Sequence, residues 1–118
     1  MKIDEFLQSV QLNWQVELQK DEWFFAKERD KIDNSFTAEE AFNAIMEVVF
    51  FIQSEANAYL CTELIDILYL LIRKSDTTEI PKGFVVNLQV LKGKLAKDMY
   101  SLNIIKEIES YYRIRRGY

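Results

Sequence analysis

Asn57-Ala58-Tyr59-Leu60-Cys61-Thr62-Glu63-Leu64-Ile65-Asp66-Ile67-Leu68-Tyr69-Leu70-Leu71-Ile72-Arg73-Lys74 is the stretch whose reading decides the fold. Leu60, Leu64, Ile67, Leu68, Leu71 and Ile72 recur at three- and four-residue intervals, the period of a helix, and they leave little polar surface. A helix apolar over most of its circumference belongs inside a bundle, so this segment is expected to be the central element. Arg73 and Lys74 close it, where cations complement the helix dipole. Asp66 interrupts the apolar run, which falls short of the roughly 20 residues a membrane span needs.

Upstream, Thr37-Ala38-Glu39-Glu40 has the spacing of a capping box. The helix it opens places Ala41 or Phe42, Ile45, Val49 and Ile52 on one face, and Glu40, Asn43, Glu47 and Ser54 on the other. Phe50 and Phe51 fall near its edge. Gln53–Asn57 contains neither Gly nor Pro, which leaves open one bent helix or two across residues 37–74. Unbroken, that helix would span about 55 Å, more than one core of this size can cover, so a bend or tight turn is expected near Ser54–Asn57.

Phe6, Val10, Trp14 and Leu18 repeat every four residues, which predicts a first helix over about residues 3–19. A strand competes there, because Val10, Leu12, Trp14, Val16 and Leu18 also alternate with polar residues. The Gln, Glu and Leu content and the lack of a following hairpin turn favour helix. Trp23-Phe24-Phe25 leads into the charged stretch Lys27–Asp33, read as containing a loop that ends near Asn34-Ser35. Ser75-Asp76-Thr77-Thr78 reads as a loop, with Thr77 or Thr78 capping the next helix and Pro81 near its first turn. That helix carries Phe84, Leu88, Leu91 and Leu95 and is interrupted at Gly93, and a last one covers about Ser101–Arg113. With three Gly and one Pro in 118 residues, tight turns are scarce. The expected architecture is all-α: a single compact bundle of about five helices over residues 1–118.

Charge is divided along the chain. Residues 1–66 hold five basic and fourteen acidic side chains, whereas residues 67–118 hold ten basic and five acidic. Such a field can recruit and orient a charged partner. There is no histidine, which removes the commonest general base, the commonest metal ligand and every Ser–His or Cys–His nucleophile. Adjacent carboxylates such as Asp21–Glu22 or Glu39–Glu40 diverge by about 100° on a helix and do not converge on a substrate. No phosphate loop or zinc spacing occurs. The expectation is a non-enzymatic chain with no cofactor and no metal. Cys61, the one cysteine, sits in an apolar run as a core residue, and no disulfide framework exists. The N-terminus begins with charge and has no apolar segment of a leader, so a cytoplasmic location is expected.

The tail Tyr111-Tyr112-Arg113-Ile114-Arg115-Arg116 mixes rings with guanidinium groups as single-strand binders do. A pI of about 4.9 opposes nucleic acid as the main partner. The acidic half points instead to a basic protein. Its expected contact residues are Asp21, Glu22, Trp23, Glu28, Asp30, Asp33, Phe36, Glu39, Glu40 and Glu47, with Trp23 or Phe36 as an apolar anchor. Interfaces of this kind combine aromatic anchors with charge complementarity. No oligomeric state is implied.

Glu63–Pro81, an apolar helix closed by Arg73-Lys74 and followed by Ser75-Asp76-Thr77-Thr78-Glu79-Ile80-Pro81, resembles small helical immunity proteins. These are encoded beside polymorphic bacterial toxins, including those of contact-dependent growth inhibition systems. The resemblance covers about a sixth of the chain. It implies a protein that binds and neutralises a cognate toxin domain, often a nuclease, by stoichiometric occlusion, without catalytic residues of its own. It carries no particular binding residue across. An adaptor or secretion chaperone that holds a client without inhibiting it is the alternative, and a nucleic-acid binder using the basic tail is a third.

Overall fold

The structure is a computed structural model that describes residues 2–114. Arg115 and Arg116 of the basic tail lie outside the described residues. Among the described residues six helices follow one another: α1 (Ile3–Lys20), α2 (Phe24–Ser35), α3 (Ala38–Ser54), α4 (Ala58–Lys74), α5 (Phe84–Lys94) and α6 (Met99–Tyr112). The all-α expectation stands, with one helix more than the five expected.

The extra helix is α2, and it replaces the loop read into Lys27–Asp33. Its inward positions are Phe25, Glu28 and Ile32, followed by Phe36 just past its end. That is a helical period, obscured in the sequence because a glutamate fills one inward place. In α1 the four-residue period prevails over alternation: Val10 is buried and Trp14 and Leu18 pack against the core, while Leu12 and Val16 face outward.

Side-chain caps mark three of the helix starts. Glu40 N–H donates to Thr37 Oγ1 at 3.1 Å and Thr37 N–H donates to Glu40 Oε1 at 2.9 Å, completing the capping box. Asn57 caps α4 by accepting from Leu60 N–H, and Asp98 caps α6 by accepting from Tyr100 N–H. The start of α5 differs from expectation. Neither Thr77 nor Thr78 caps it; Thr77 Oγ1 accepts from Glu79 N–H within the loop, and Pro81 precedes the helix. The N-cap is Gly83 at φ +81°, a left-handed conformation that side chains disfavour. Nor does Gly93 interrupt α5, which continues through it to Lys94. The last helix begins at Met99 and ends at Tyr112, with Arg113 in the left-handed region.

Each odd helix packs on the next even one through a connection of three or four residues, giving three αα-hairpins: α1–α2, α3–α4 and α5–α6. The hairpins stand side by side. Helix α3 lies between α1 and α5 in one layer, and α4 lies between α2 and α6 in the other. The middle hairpin is therefore covered on both flanks. This explains why α4 buries Leu60, Cys61, Leu64, Ile65, Ile67, Leu68, Leu71 and Ile72, and α3 buries Ala41, Ala44, Ile45, Val48, Val49 and Ile52.

The α3–α4 turn is held by side chains from both outer hairpins. Lys94, at the end of α5, donates to Ile52 O, Gln53 O and Glu55 O at 2.5–2.9 Å. It thereby places a cation at the C-terminal end of α3, where the last carbonyls point and the helix dipole is negative. From α1, Gln11 Nε2 donates to Glu55 Oε1 at 2.8 Å, while Glu55 Oε2 accepts from Asn57 N–H at 2.8 Å. Removing the ammonium in Lys94→Met keeps the aliphatic stem but takes the charged donor from three carbonyls, leaving Ile52 O to Glu55 N–H and the Cys61 thiol, and Glu55 O to that thiol. The expected loss is about 2 kcal/mol, or a fall in Tm of about 8 °C, measured by thermal circular dichroism against Lys82→Met, an exposed lysine just before the same helix, as a control.

Candidate functional site

Folding sorts the acidic surplus of the first half. Four basic side chains of that half stand beside carboxylates: Lys20 with Glu17, Lys27 with Asp21 at 2.6 Å, Arg29 with Glu63, and Lys31 with Glu28 at 3.0 Å. Lys74 from α4 adds a fifth pair with Asp33. Exposed pairs contribute roughly 0–1 kcal/mol each to stability, but they cancel charge where they sit. Lys27 also holds the Asp21 carboxyl below its usual range, helped by Trp23 N–H. Among the described residues, Asp4, Glu5, Glu22, Asp30, Glu39 and Glu47 have no ion-pair partner.

Asp4, Glu40 and Glu47 meet in a furrow between α1 and α3. A cavity of about 330 Å³ is lined by Lys2, Ile3, Asp4, Phe36, Glu40, Asn43, Ala44 and Glu47. Asp4 and Glu47 also line the adjoining one, of about 280 Å³, with Leu7, Gln8, Phe50, Phe51 and Ser54. The two thus form one furrow. Its apolar end is Phe50, 52% exposed. The bond from Thr37 N–H to Glu40 lowers the Glu40 pKa, keeping that carboxylate charged but committed to the cap.

The expected contact residues divide as follows. Glu40 and Glu47 line the furrow and Glu39 is exposed in the first turn of α3. Asp21, Glu22 and Trp23 form the α1–α2 turn, with Trp23 63% exposed. Asp30 is exposed on α2, while Asp33 is engaged by Lys74. Glu28 and Phe36 are buried; Phe36, 5% exposed, belongs to the core, which removes it as an apolar anchor. Its burial follows from its place in the inward period of α2, which a loop reading concealed. Asp4 and Phe50 were missed. Phe50 had a sequence signal in its position at the edge of the α3 apolar face, whereas Asp4 acquires its place only when α1 packs on α3.

The other layer holds a larger depression, of about 940 Å³. Its floor is α4 and its walls are α2 and α6, which each pack on α4. Asp66, Tyr69, Leu70 and Arg73 line it from α4, Arg29 and Asp33 from α2, and Tyr100 from α6. Lys74, Asp76 and the α2–α3 corner Phe36–Ala38 complete it. Tyr100 Oη donates toward both Asp66 oxygens at 2.9 Å, and the Arg73 guanidinium lies 5.7 Å from the Tyr69 ring centroid. Of its residues the sequence names only Asp33 and Phe36 among the expected contacts; Asp66, Arg73 and Lys74 read there as features of the central helix, Thr37 and Ala38 as a cap, and Asp76 as a loop, because the groove forms only when α2 and α6 pack beside α4. Among the described residues no group of three or more His, Cys, Asp or Glu side chains could hold a metal ion, and no helix is long and apolar enough to cross a membrane.

No protein-family model, curated protein or solved structure matches the chain.

Beside the groove, Glu63 faces Arg29 at 3.8 Å, too far for a hydrogen bond. Burial pushes its carboxyl pKa up, Arg29 opposes the rise and Asp66 adds to it. A carboxyl that holds its proton more tightly in the folded chain than in the unfolded one costs stability on ionising. The cost is absent below the unfolded pKa, about 4.3, and fully present above the raised folded value. Glu63→Gln, which mimics the protonated form, is expected to raise Tm relative to the parent at about pH 7. Melts repeated at about pH 3.5 should show no such gain; a gain of equal size there would refute the assignment.

Proposed function

We propose that this chain is a non-enzymatic inhibitor of the immunity type, which binds a basic toxin domain and neutralises it by stoichiometric occlusion. The observation that supports this reading is the α1–α3 furrow, where Asp4, Glu40 and Glu47 outnumber the one basic lining residue, Lys2, where Asp4 and Glu47 form no ion pair among the described residues, and where Phe50 is exposed beside them. Lys and Arg side chains suit such a surface, because their aliphatic stems can lie on the ring while their heads reach the carboxylates. Unbalanced charge also steers encounter, lifting association from roughly 10⁵–10⁶ to as much as 10⁸–10⁹ M⁻¹s⁻¹ at low salt. The resemblance of Glu63–Pro81 to helical immunity proteins points the same way.

An adaptor or secretion chaperone would use the same surface without blocking activity, so the two readings part on inhibition. The test begins by co-purifying the protein with the product of the adjacent reading frame of its native operon. That product's toxicity is then measured with and without an equimolar amount of the chain. An equimolar complex that abolishes toxicity is expected; a complex that leaves it intact favours the adaptor.

The furrow and the exposed start of α3 beside it are probed by Asp4→Lys, Glu47→Lys and Glu39→Lys together. These positions spare the capping-box glutamate, so the circular dichroism spectrum should not change. Affinity should fall at least tenfold at low salt, chiefly through slower association, with a flatter salt dependence. Reversal of Asp33 should have a smaller effect, since Lys74 already offsets it. A folded triple variant that binds as tightly as the parent would place the contact elsewhere.

A further inference from the structure

The groove over α4 has charges of both signs, and they differ in how they are engaged. Asp33 is held by Lys74, and Arg29 stands against Glu63. Asp66, Arg73 and Asp76 have no ion-pair partner among the described residues. Asp66 is oriented by the Tyr100 hydroxyl, and Arg73 is steadied over the Tyr69 ring. Seven residues separate Asp66 from Arg73, which is about two helical turns, or 10.5 Å along α4. Tyr69 and Leu70 lie between them. Asp76 stands beyond Arg73, in the loop after the helix.

The groove's shape narrows the choice of occupant. Neighbouring packed helices lie 8–10 Å apart, so α2 and α6, one on each side of α4, are separated by about 16–20 Å. That is an axis-to-axis distance; less the 10–12 Å diameter of the flanking helices, roughly 4–10 Å stays open between the walls, so a helix would seat one face on α4 and stand partly proud of the groove. Its charge pattern narrows the choice again. A simple anion could satisfy Arg73 but would face Asp66 and Asp76, and nucleic acid would meet the same repulsion. A helix lying along α4 repeats the two-turn spacing and can match both signs at once.

We propose that this groove binds an amphipathic helix of a protein partner carrying a basic and an acidic side chain two turns apart. The basic group meets Asp66 beside Tyr100, the acidic group meets Arg73, and an apolar residue between them rests on Tyr69 and Leu70. This is helix-in-groove recognition, with affinity from the apolar contact and register from the charges. It does not rest on the furrow, because the two surfaces share only Phe36 among their lining residues.

The test uses the full chain and three fluorescent stapled helical peptides. They carry Lys, Leu and Glu; Lys, Leu and Lys; or Glu, Leu and Glu at positions i, i+4 and i+7. By fluorescence anisotropy at low salt, the mixed peptide should bind at least tenfold more tightly than either single-sign peptide. Arg73→Glu, on the exposed surface of α4, should move the preference to the Lys/Lys peptide, and Asp66→Lys should move it to the Glu/Glu peptide. If Asp66→Lys does not fold, Asp66→Asn replaces it and should cost the mixed peptide its advantage over the Glu/Glu peptide. Three outcomes overturn the proposal: no saturable binding of the mixed peptide up to millimolar concentration, a single-sign peptide binding the parent as well as the mixed one, or a ranking that survives Arg73→Glu.

Discussion

The turn between α3 and α4 holds three hairpins in one arrangement, and it does so without glycine or proline. Its geometry comes from Glu55, whose carboxylate accepts from Gln11 of the first hairpin and from the backbone of Asn57. Lys94 of the third hairpin gathers three carbonyls from the same few residues. Hairpins that touch only their neighbours slide more easily than the parts of a globular core, since each interface is a separate apolar contact. Directional bonds reaching the middle turn from both outer hairpins remove that freedom. Charge-assisted bonds of this kind contribute about 1.5–3 kcal/mol each before solvent screening, enough to choose among registers that bury similar apolar area.

The apolar layer was largely legible in the sequence. The period of Leu60–Ile72 identified the central helix, the Thr37–Glu40 box fixed the start of α3, and the length limit located the break near Ser54–Asn57. Misreadings arose where a polar residue occupies an inward position or a backbone conformation does the work of a side chain. Glu28 hid the periodicity of α2, and Gly83 at positive φ displaced the expected threonine cap of α5. The two-layer arrangement itself left no trace, because the hairpins share a shape but no repeated residues.

The candidate surfaces were less legible for a different reason. Linear charge is a sum, whereas a binding surface depends on which charges remain after local pairing. Asp21, Glu28 and Asp33 look equivalent to Glu39 and Glu47 in the sequence, yet α2 supplies bases for the first two and α4 supplies one for the third. The residual negative charge therefore includes the α1–α3 layer, while the α2–α4–α6 layer has a mixed pattern. Opposite faces of a molecule with principal extents of 42 × 33 × 20 Å thus differ in electrostatic character. At physiological salt, with screening over about 8 Å, a partner nearing one face is influenced weakly by the other.

The ties at Glu55 also bear on the order of events in folding. Each hairpin closes over a connection of three or four residues, and such local contacts form quickly, whereas the packing of α3 on α1 and α5 and of α4 on α2 and α6 joins segments distant in sequence. The bonds from Gln11 and Lys94 span 44 and 39–42 positions and need all three hairpins in place. Interactions that form after the rate-limiting step leave the folding rate nearly unchanged and slow the reverse reaction. Bonds that close only once the hairpins are docked would act in this way as a latch on escape from the native state, setting the lifetime of the folded chain more than the speed at which it is reached.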